Sequence, residues 1–155
     1  MKMDYLDTLA GQAQFAATNI VYNLDFIPAD KLGWKPAPTA LSALEIVNHI
    51  LKTFKSMEPI LAGGEMAPQE IVPATNLAEA KQMLHAAVAE YITALRAVPA
   101  DALGRPVKMR FATMPLAQIA GMPILDLIHH HGQIAYIQEL LGDTESHFDP
   151  ALFQA

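Results

Sequence analysis

Residues 123–143 read PILDLIHHHGQIAYIQELLGD and contain three consecutive histidines inside a segment that has the apolar spacing of a helix. An α-helix turns once in about 3.6 residues, so consecutive side chains point about 100° apart. Leu127, His130, Ile134, Ile137 and Leu141 follow one another at intervals of three, four, three and four residues, and we call this row the apolar seam. This spacing is typical of the inward face of a bundle helix, and it places the middle histidine in the core.

Asp126 lies four residues before His130, which puts the two side chains on one face of the helix, about 6 Å apart at Cβ. Carboxylate and imidazole groups are both ligands of divalent first-row metals. The neighbours His129 and His131 have no ligand type at the same offsets, and we expect them at the rim or in solvent. The pattern leaves two interpretations open for His130, a metal ligand or a core histidine. Asp126 is correspondingly a ligand, a hydrogen-bond acceptor or an outer neighbour of the metal site.

Proline and glycine divide the chain into four helical segments of about 20 residues. The first covers residues 4–27, the second runs from Thr39 or Ser42 to Gly63–Gly64, the third follows Asn76 and ends before Pro99, and the fourth runs from about Pro123 to Gly142. Ser42 and Glu45 have the spacing of a capping box, and Asn76 is a residue type favoured at the N-cap. Pro59 is expected to bend or end the second helix.

The connections after the second and third segments are longer than the first. In the later one Val107, Met109 and Phe111 alternate with two basic residues, which predicts a short strand or an extended connection. No repeat or domain-sized linker interrupts the chain. These features predict an all-α four-helix bundle that forms a single domain over residues 1–155.

The composition limits the classes of partner. The chain of 155 residues is 52% hydrophobic and 17% charged, with a formal net charge of −6 and only ten basic residues. Nucleic acid is not an expected partner, because phosphate binding needs clustered Lys and Arg. There is no cysteine and no apolar run of the roughly 18 residues that a membrane span needs, so a cytoplasmic protein is expected. The high apolar content predicts a homodimer.

A third metal ligand would have to come from another helix. His49 borders an apolar stripe on the second segment and is the best candidate, although it lies at the edge of that stripe. His85 in the third segment has no ligand type nearby and is the weaker alternative. His147 belongs to the C-terminal tail.

The chain resembles the DinB-like family, which is related to the YfiT-like metal-dependent hydrolases. The resemblance rests on Trp34, Pro36, Ser42, Glu45 and His49 in the pattern W-x-P…S-x-x-E-x-x-x-H, and on the later D-L-I-H-H-H-G-Q-I. It implies an up-down-down-up bundle with a long connection between the third and fourth helices.

The resemblance also implies a metal site, often for nickel or zinc, between one histidine of the second helix and an H-x-x-x-H pair on the last. His49 matches the first ligand and His130 the final one, while Asp126 occupies the position of the middle histidine. The expected metal ligands are therefore His49, Asp126 and His130. The carboxylate makes the site richer in oxygen, which favours manganese or iron beside zinc and nickel.

Two functions remain open. One is a metal-dependent enzyme that acts on a small-molecule substrate, either a thiol-dependent transferase, as the resemblance suggests, or a hydrolase. Glu45, one turn before His49, is a candidate base. The other is a non-catalytic binding or scaffold protein, in which His49, Asp126 and His130 form a buried hydrogen-bond network without metal. A carboxylate di-iron protein is not expected, because such proteins need a Glu-x-x-His motif on two helices. The nearest match here, Asp126-x-x-His129, has no second copy.

Overall fold

The computed structural model describes residues 4–154 and has four long helices. They are α1 (Tyr5–Leu24), α2 (Ala43–Leu61), α3 (Leu77–Arg96) and α4 (Leu116–Leu140). A hairpin of β1 (Pro106–Lys108) and β2 (Thr113–Pro115) lies in the connection between α3 and α4, with Val107 opposite Met114. The bundle and the long connection before the last helix are confirmed, and the alternating segment is a short strand.

The helices follow the expected up-down-down-up order. At the two ends of α1, Asp25 pairs with Lys81 and Asp7 with Arg96, so α1 and α3 are antiparallel. The hydroxyl of Tyr5, at the start of α1, donates to the carbonyl of a residue in the first turn of α4, so these two helices are parallel.

α2 runs parallel to α3 and antiparallel to α4. Each of α1 and α2 packs mainly against α3 and α4, which places α1 diagonally opposite α2. The core between the four helices is almost entirely aliphatic and aromatic. None of the helices in residues 4–154 is long and apolar enough to cross a membrane.

Two helix starts follow the sequence signals. The side chain of Ser42 accepts from the Glu45 amide, and the Glu45 carboxylate accepts from the Ser42 amide, which completes the predicted capping box of α2. Asn76 caps α3 by accepting from the Glu79 amide. Such caps each stabilise a protein by about 1 kcal/mol.

The predicted start of the fourth helix was wrong. α4 begins at Leu116, and Pro123 lies inside it instead of in its first turn. An interior proline removes the hydrogen bond to the carbonyl four residues earlier. The two extra turns persist because Leu116, Ile119 and Ala120 are completely or almost completely buried there.

The other helix ends differ less. α1 ends at Leu24 rather than residue 27, because the amides of Phe26 and Ile27 donate to carbonyls three residues back instead of four. α2 continues through Pro59 to Leu61 before Gly63, whose φ of 93° is accessible mainly to glycine.

Candidate metal centre

The three predicted ligands lie together where α2 faces α4. His49 Nε2 is 3.5 Å from Asp126 Oδ2, and His130 Nε2 is 3.4 Å from Asp126 Oδ1. One ligand atom from each residue lies within 4.8 Å of the other two. The spacing on α4 supplies the pair at positions 126 and 130, and the packing of α2 against that face supplies the third group.

The exposure of the three side chains increases from the core to the surface. The side chain of His130 is 6% exposed, that of Asp126 is 29% exposed and that of His49 is 48% exposed. The position of His130 in the apolar seam is thereby confirmed, as is that of His49 at the edge of its stripe. The cluster is therefore anchored in the core and open to solvent on one side.

A glutamine orients the buried imidazole. His130 Nδ1 lies 2.6 Å from Gln133 Oε1, an atom that can only accept, so Nδ1 carries the proton and donates it. The lone pair of the neutral ring is then on Nε2, which faces Asp126. Outer-shell bonds of this kind fix the tautomer of metal-binding histidines. The sequence reasoning missed this role, although Gln133 follows His130 at the i,i+3 spacing of helical neighbours.

Burial keeps His130 neutral. Loss of hydration lowers the pKa of the imidazole, and the bond to Gln133 and the charge of Asp126 offset this only in part. A histidine must be deprotonated at the nitrogen that binds a metal.

The donor atoms fit a divalent cation. Distances of 3.4 and 3.5 Å exceed the usual 2.7–3.2 Å or so of a hydrogen bond. Two ligands that each lie about 2.1 Å from a tetrahedral ion are separated by about 3.4 Å. Asp126 Oδ2 and His130 Nε2 are also buried without a hydrogen-bond partner among the described residues. Two buried acceptors without partners, in a cluster whose ligand atoms lie within 4.8 Å of one another, match a site for a cation.

The remaining histidines lie outside this cluster. His129 is exposed, and His85 is exposed on α3. His131 is half-buried, as expected of a residue at the rim, and its Nε2 lies 3.4 Å from Asn23 Nδ2 on α1. His147 stacks on Phe26.

Glu45 is already engaged elsewhere. One carboxylate oxygen accepts from the Ser42 amide and the other lies 2.7 Å from Lys35 Nζ. The bond from Lys35 and that from Ser42 lower the pKa of Glu45, which weakens it as a base. The structure therefore gives Glu45 a role in helix capping.

A neighbouring amide fixes the loop beside His49. Asn48 donates to the carbonyl of Ala74 and accepts from its amide, at 3.0 and 2.8 Å. This pair ties the α2–α3 connection to α2 next to the site.

Comparison with known proteins identifies relatives of the same architecture. The family model of the DinB superfamily matches residues 12–134. A crystal structure of the DinB-like protein YjoA from Bacillus subtilis is similar, with a TM-score of 0.74, 20% identity, and coverage of 91% of this chain and 96% of that one. A conserved protein from Enterococcus faecalis gives a TM-score of 0.71 at 16% identity, with coverage of 89% and 97%. The chain matches no curated protein.

Proposed function

The chain belongs to the DinB superfamily, and we propose that it binds one divalent metal ion through His49, Asp126 and His130. The observation that carries the proposal is the pair of buried acceptors, Asp126 Oδ2 and His130 Nε2. They have no hydrogen-bond partner among the described residues and belong to a cluster whose ligand atoms lie within 4.8 Å of one another. In a hydrogen-bonded trio, the distances from the Asp126 carboxylate to His49 and His130 would be shorter than the observed 3.5 and 3.4 Å.

The chemistry that fits this donor set is that of an open site. Three protein ligands leave coordination positions for other molecules, as in catalytic rather than structural sites. When bound, a divalent metal would polarise an oxygen of the substrate or activate a nucleophile. Asp126 and His130 would hold the ion from the core side, and Gln133 would keep His130 in the tautomer that binds. The exposed His49 would complete the site on the side that is open to solvent. We propose a metal-dependent enzyme, either a transferase or a hydrolase, that acts on a small molecule.

The carboxylate affects which metal is preferred. Two imidazoles with one carboxylate suit zinc, nickel, manganese and iron, and the oxygen ligand shifts the preference toward the harder ions relative to a site of three histidines. Asp126→His is therefore expected to favour zinc and nickel over manganese. The ratio of the affinities for nickel and manganese, in the parent and the variant, measures this shift.

Titration of the metal-free protein with zinc, nickel and manganese tests the site. His49→Ala, Asp126→Ala and His130→Ala are each expected to weaken binding by more than the ~10–100-fold that loss of an outer-shell partner causes. His85→Ala, which removes an exposed histidine of α3 outside the cluster, serves as the control and should bind as the parent does. Equal affinity of the parent and His130→Ala would overturn the proposal.

Thermal unfolding gives an independent measurement. An ion that binds the folded state alone stabilises it by about 2.7 kcal/mol at 100 times its Kd. In the parent, the melting temperature should rise with added metal and fall back when EDTA is added. In His130→Ala, neither treatment should change the melting temperature of the variant. A parent protein unaffected by both treatments would favour a scaffold without metal.

The homodimer stays a proposal that rests on the apolar composition of the chain. Light scattering that gives twice the mass of the chain would support it, and a monomer mass would overturn it.

A further inference from the structure

A surface cavity of about 410 Å³ adjoins the candidate metal centre between α2 and α4. Its volume falls in the range of small-molecule sites, roughly 300–1,000 Å³. The lining residues come from both helices and are Thr53, Met57, Met122, Pro123, Leu125, Asp126 and His129.

The cavity is continuous with the metal centre through Asp126, which belongs to both. Thr53 lies one helical turn after His49, and His129 directly precedes His130. The polar groups of the cavity are thus Asp126 itself and two residues within one helical turn of His49 and His130. A larger groove of about 510 Å³ between α1 and α4 contacts none of these ligands.

The rest of the cavity wall is apolar and adaptable. Met57 and Met122 face it from opposite helices, and Pro123 and Leu125 complete that side. Methionine side chains are flexible and polarisable, so they fit apolar groups of varied shape.

The charge of the lining disfavours anions. Lys and Arg are absent from these seven residues, and the one formally charged group is the carboxylate of Asp126. In the metal-free protein, an anionic ligand would lose hydration without gaining an ion pair with a side chain, and it would face the like charge of Asp126.

We propose that this cavity binds the substrate and that the part of the substrate that lies in it is uncharged and mainly apolar, with one hydrogen-bonding group. The apolar part lies against Met57 and Met122, and the polar group faces Asp126, Thr53 and His129. The assignment as a substrate site rests on the proposed metal-dependent function, whereas the binding of such molecules to the cavity does not require the metal.

Methionine methyl NMR of the full-length, metal-free protein tests the cavity with two probes of equal ring size, benzyl alcohol and benzoate. Benzyl alcohol is expected to shift the methyl signals of Met57 and Met122, which are assigned with the variants Met57→Leu and Met122→Leu. Benzoate is expected to bind at least tenfold more weakly. Met83 is the internal control, because it lines a separate cavity whose wall also contains Lys55 and Glu90. Equal shifts at Met83, or equal binding of the two probes, would overturn the proposal.

A charge introduced at the cavity edge sharpens the test. Leu125 and Ile128 are both exposed on α4, but only Leu125 lines this cavity. Leu125→Lys should increase the affinity for benzoate about fivefold, the upper range for an exposed ion pair, and Ile128→Lys should leave it unchanged. The same change in both variants would contradict the assignment.

The outcomes separate this proposal from the metal site. If the probe shifts Met57 and Met122 but the titration detects no metal binding, the cavity proposal is supported and the metal proposal is overturned. Metal binding without those shifts would overturn the cavity and leave the metal centre in place.

Discussion

The Nδ1–H of His130 donates to Gln133 Oε1 over 2.6 Å, and this bond leaves the Nε2 lone pair of the same ring facing Asp126. Gln133→Leu removes the acceptor and frees the imidazole to take the other tautomer. We expect the affinity for zinc to fall by ~10–100-fold, the usual effect of losing an outer-shell partner of a metal ligand. Gln133→Glu keeps an acceptor at this position and should largely retain binding.

The tautomer itself can be observed without metal. Nitrogen chemical shifts of His130 in the chelator-treated protein should show a protonated Nδ1 in the parent and a mixture of tautomers in Gln133→Leu. Gln118→Leu, at an exposed position of the same helix, is the control for added apolar surface. Unchanged zinc affinity and tautomer in Gln133→Leu would show that the bond does not orient the ring.

A buried tyrosine stabilises the proline-containing part of α4. Tyr91 is 1% exposed, and its hydroxyl donates to the carbonyl of Ala120 over 3.0 Å, in the turn that precedes Pro123. Burial, helped by the charge of Glu58, raises the pKa of Tyr91, so the hydroxyl stays a donor even at a pH where an exposed tyrosine would ionise. Tyr91→Phe leaves the carbonyl without this partner and should lower the free energy of unfolding by about 1–2 kcal/mol.

Urea unfolding measures this loss, which should appear as a lower midpoint with an unchanged slope. Tyr136→Phe removes a hydroxyl from an exposed ring of α4 and should have little effect. An equal loss in both variants would contradict the specific role of the Tyr91 hydrogen bond.

Features that depend on residues within one or two helical turns could be predicted from the sequence. The capping box of Ser42 and Glu45 and the cap at Asn76 are of this kind, as is the face shared by Asp126 and His130. In each case the partner lies three or four residues away, so the spacing alone brings the groups together.

Features decided by tertiary packing could not be predicted in the same way. The start of α4 depends on burial of Leu116 and Ile119 against the other helices, which outweighs the local cost of Pro123. Gln133 had the right spacing from His130, but a glutamine in a helix is ordinarily a surface residue. Asn19 and Asn23 of α1 are buried because they bind a segment more than 100 residues later.

These two asparagines attach the C-terminal segment, residues 143–154, to α1. Asn23 Nδ2 donates to the carbonyl of His147 over 2.7 Å and to that of Asn19 over 2.8 Å, while Asn19 Oδ1 accepts from the Asp149 amide at 3.2 Å. Asn23→Ala removes the donor and should lower the free energy of unfolding by about 1–2 kcal/mol. It should also release the segment locally before the bundle unfolds.

Chymotrypsin digestion reports that local release, because Phe148 and Phe153 lie within the segment. Cleavage there should be faster in Asn23→Ala than in the parent, and amide exchange at Asp149 should increase. Gln14→Ala, at an exposed position of α1, is the control. Equal cleavage rates in parent and Asn23→Ala would indicate that other contacts hold the segment.

The start of α3 should make stability depend on pH in the acid range. Glu79 Oε2 accepts from the amide and the hydroxyl of Thr75, both at 2.8 Å. The amide first and the hydroxyl second hold the pKa of Glu79 below its ordinary value of 4.5. Because the folded pKa is lower than the unfolded one, the stabilisation is present above pH 4.5 and is lost as the pH falls through the folded value.

Glu79→Gln keeps the shape of the side chain but removes the charge. Its melting temperature should be lower than that of the parent at pH 7, and the gap should close as the pH falls well below 4.5, where the parent carboxyl is protonated as well. Calorimetry of both proteins across this range measures the gap. Glu65→Gln, at an exposed position of the α2–α3 connection, should melt with the parent. If the difference in melting temperature stays constant down to the lowest pH, the charge of Glu79 does not contribute to stability.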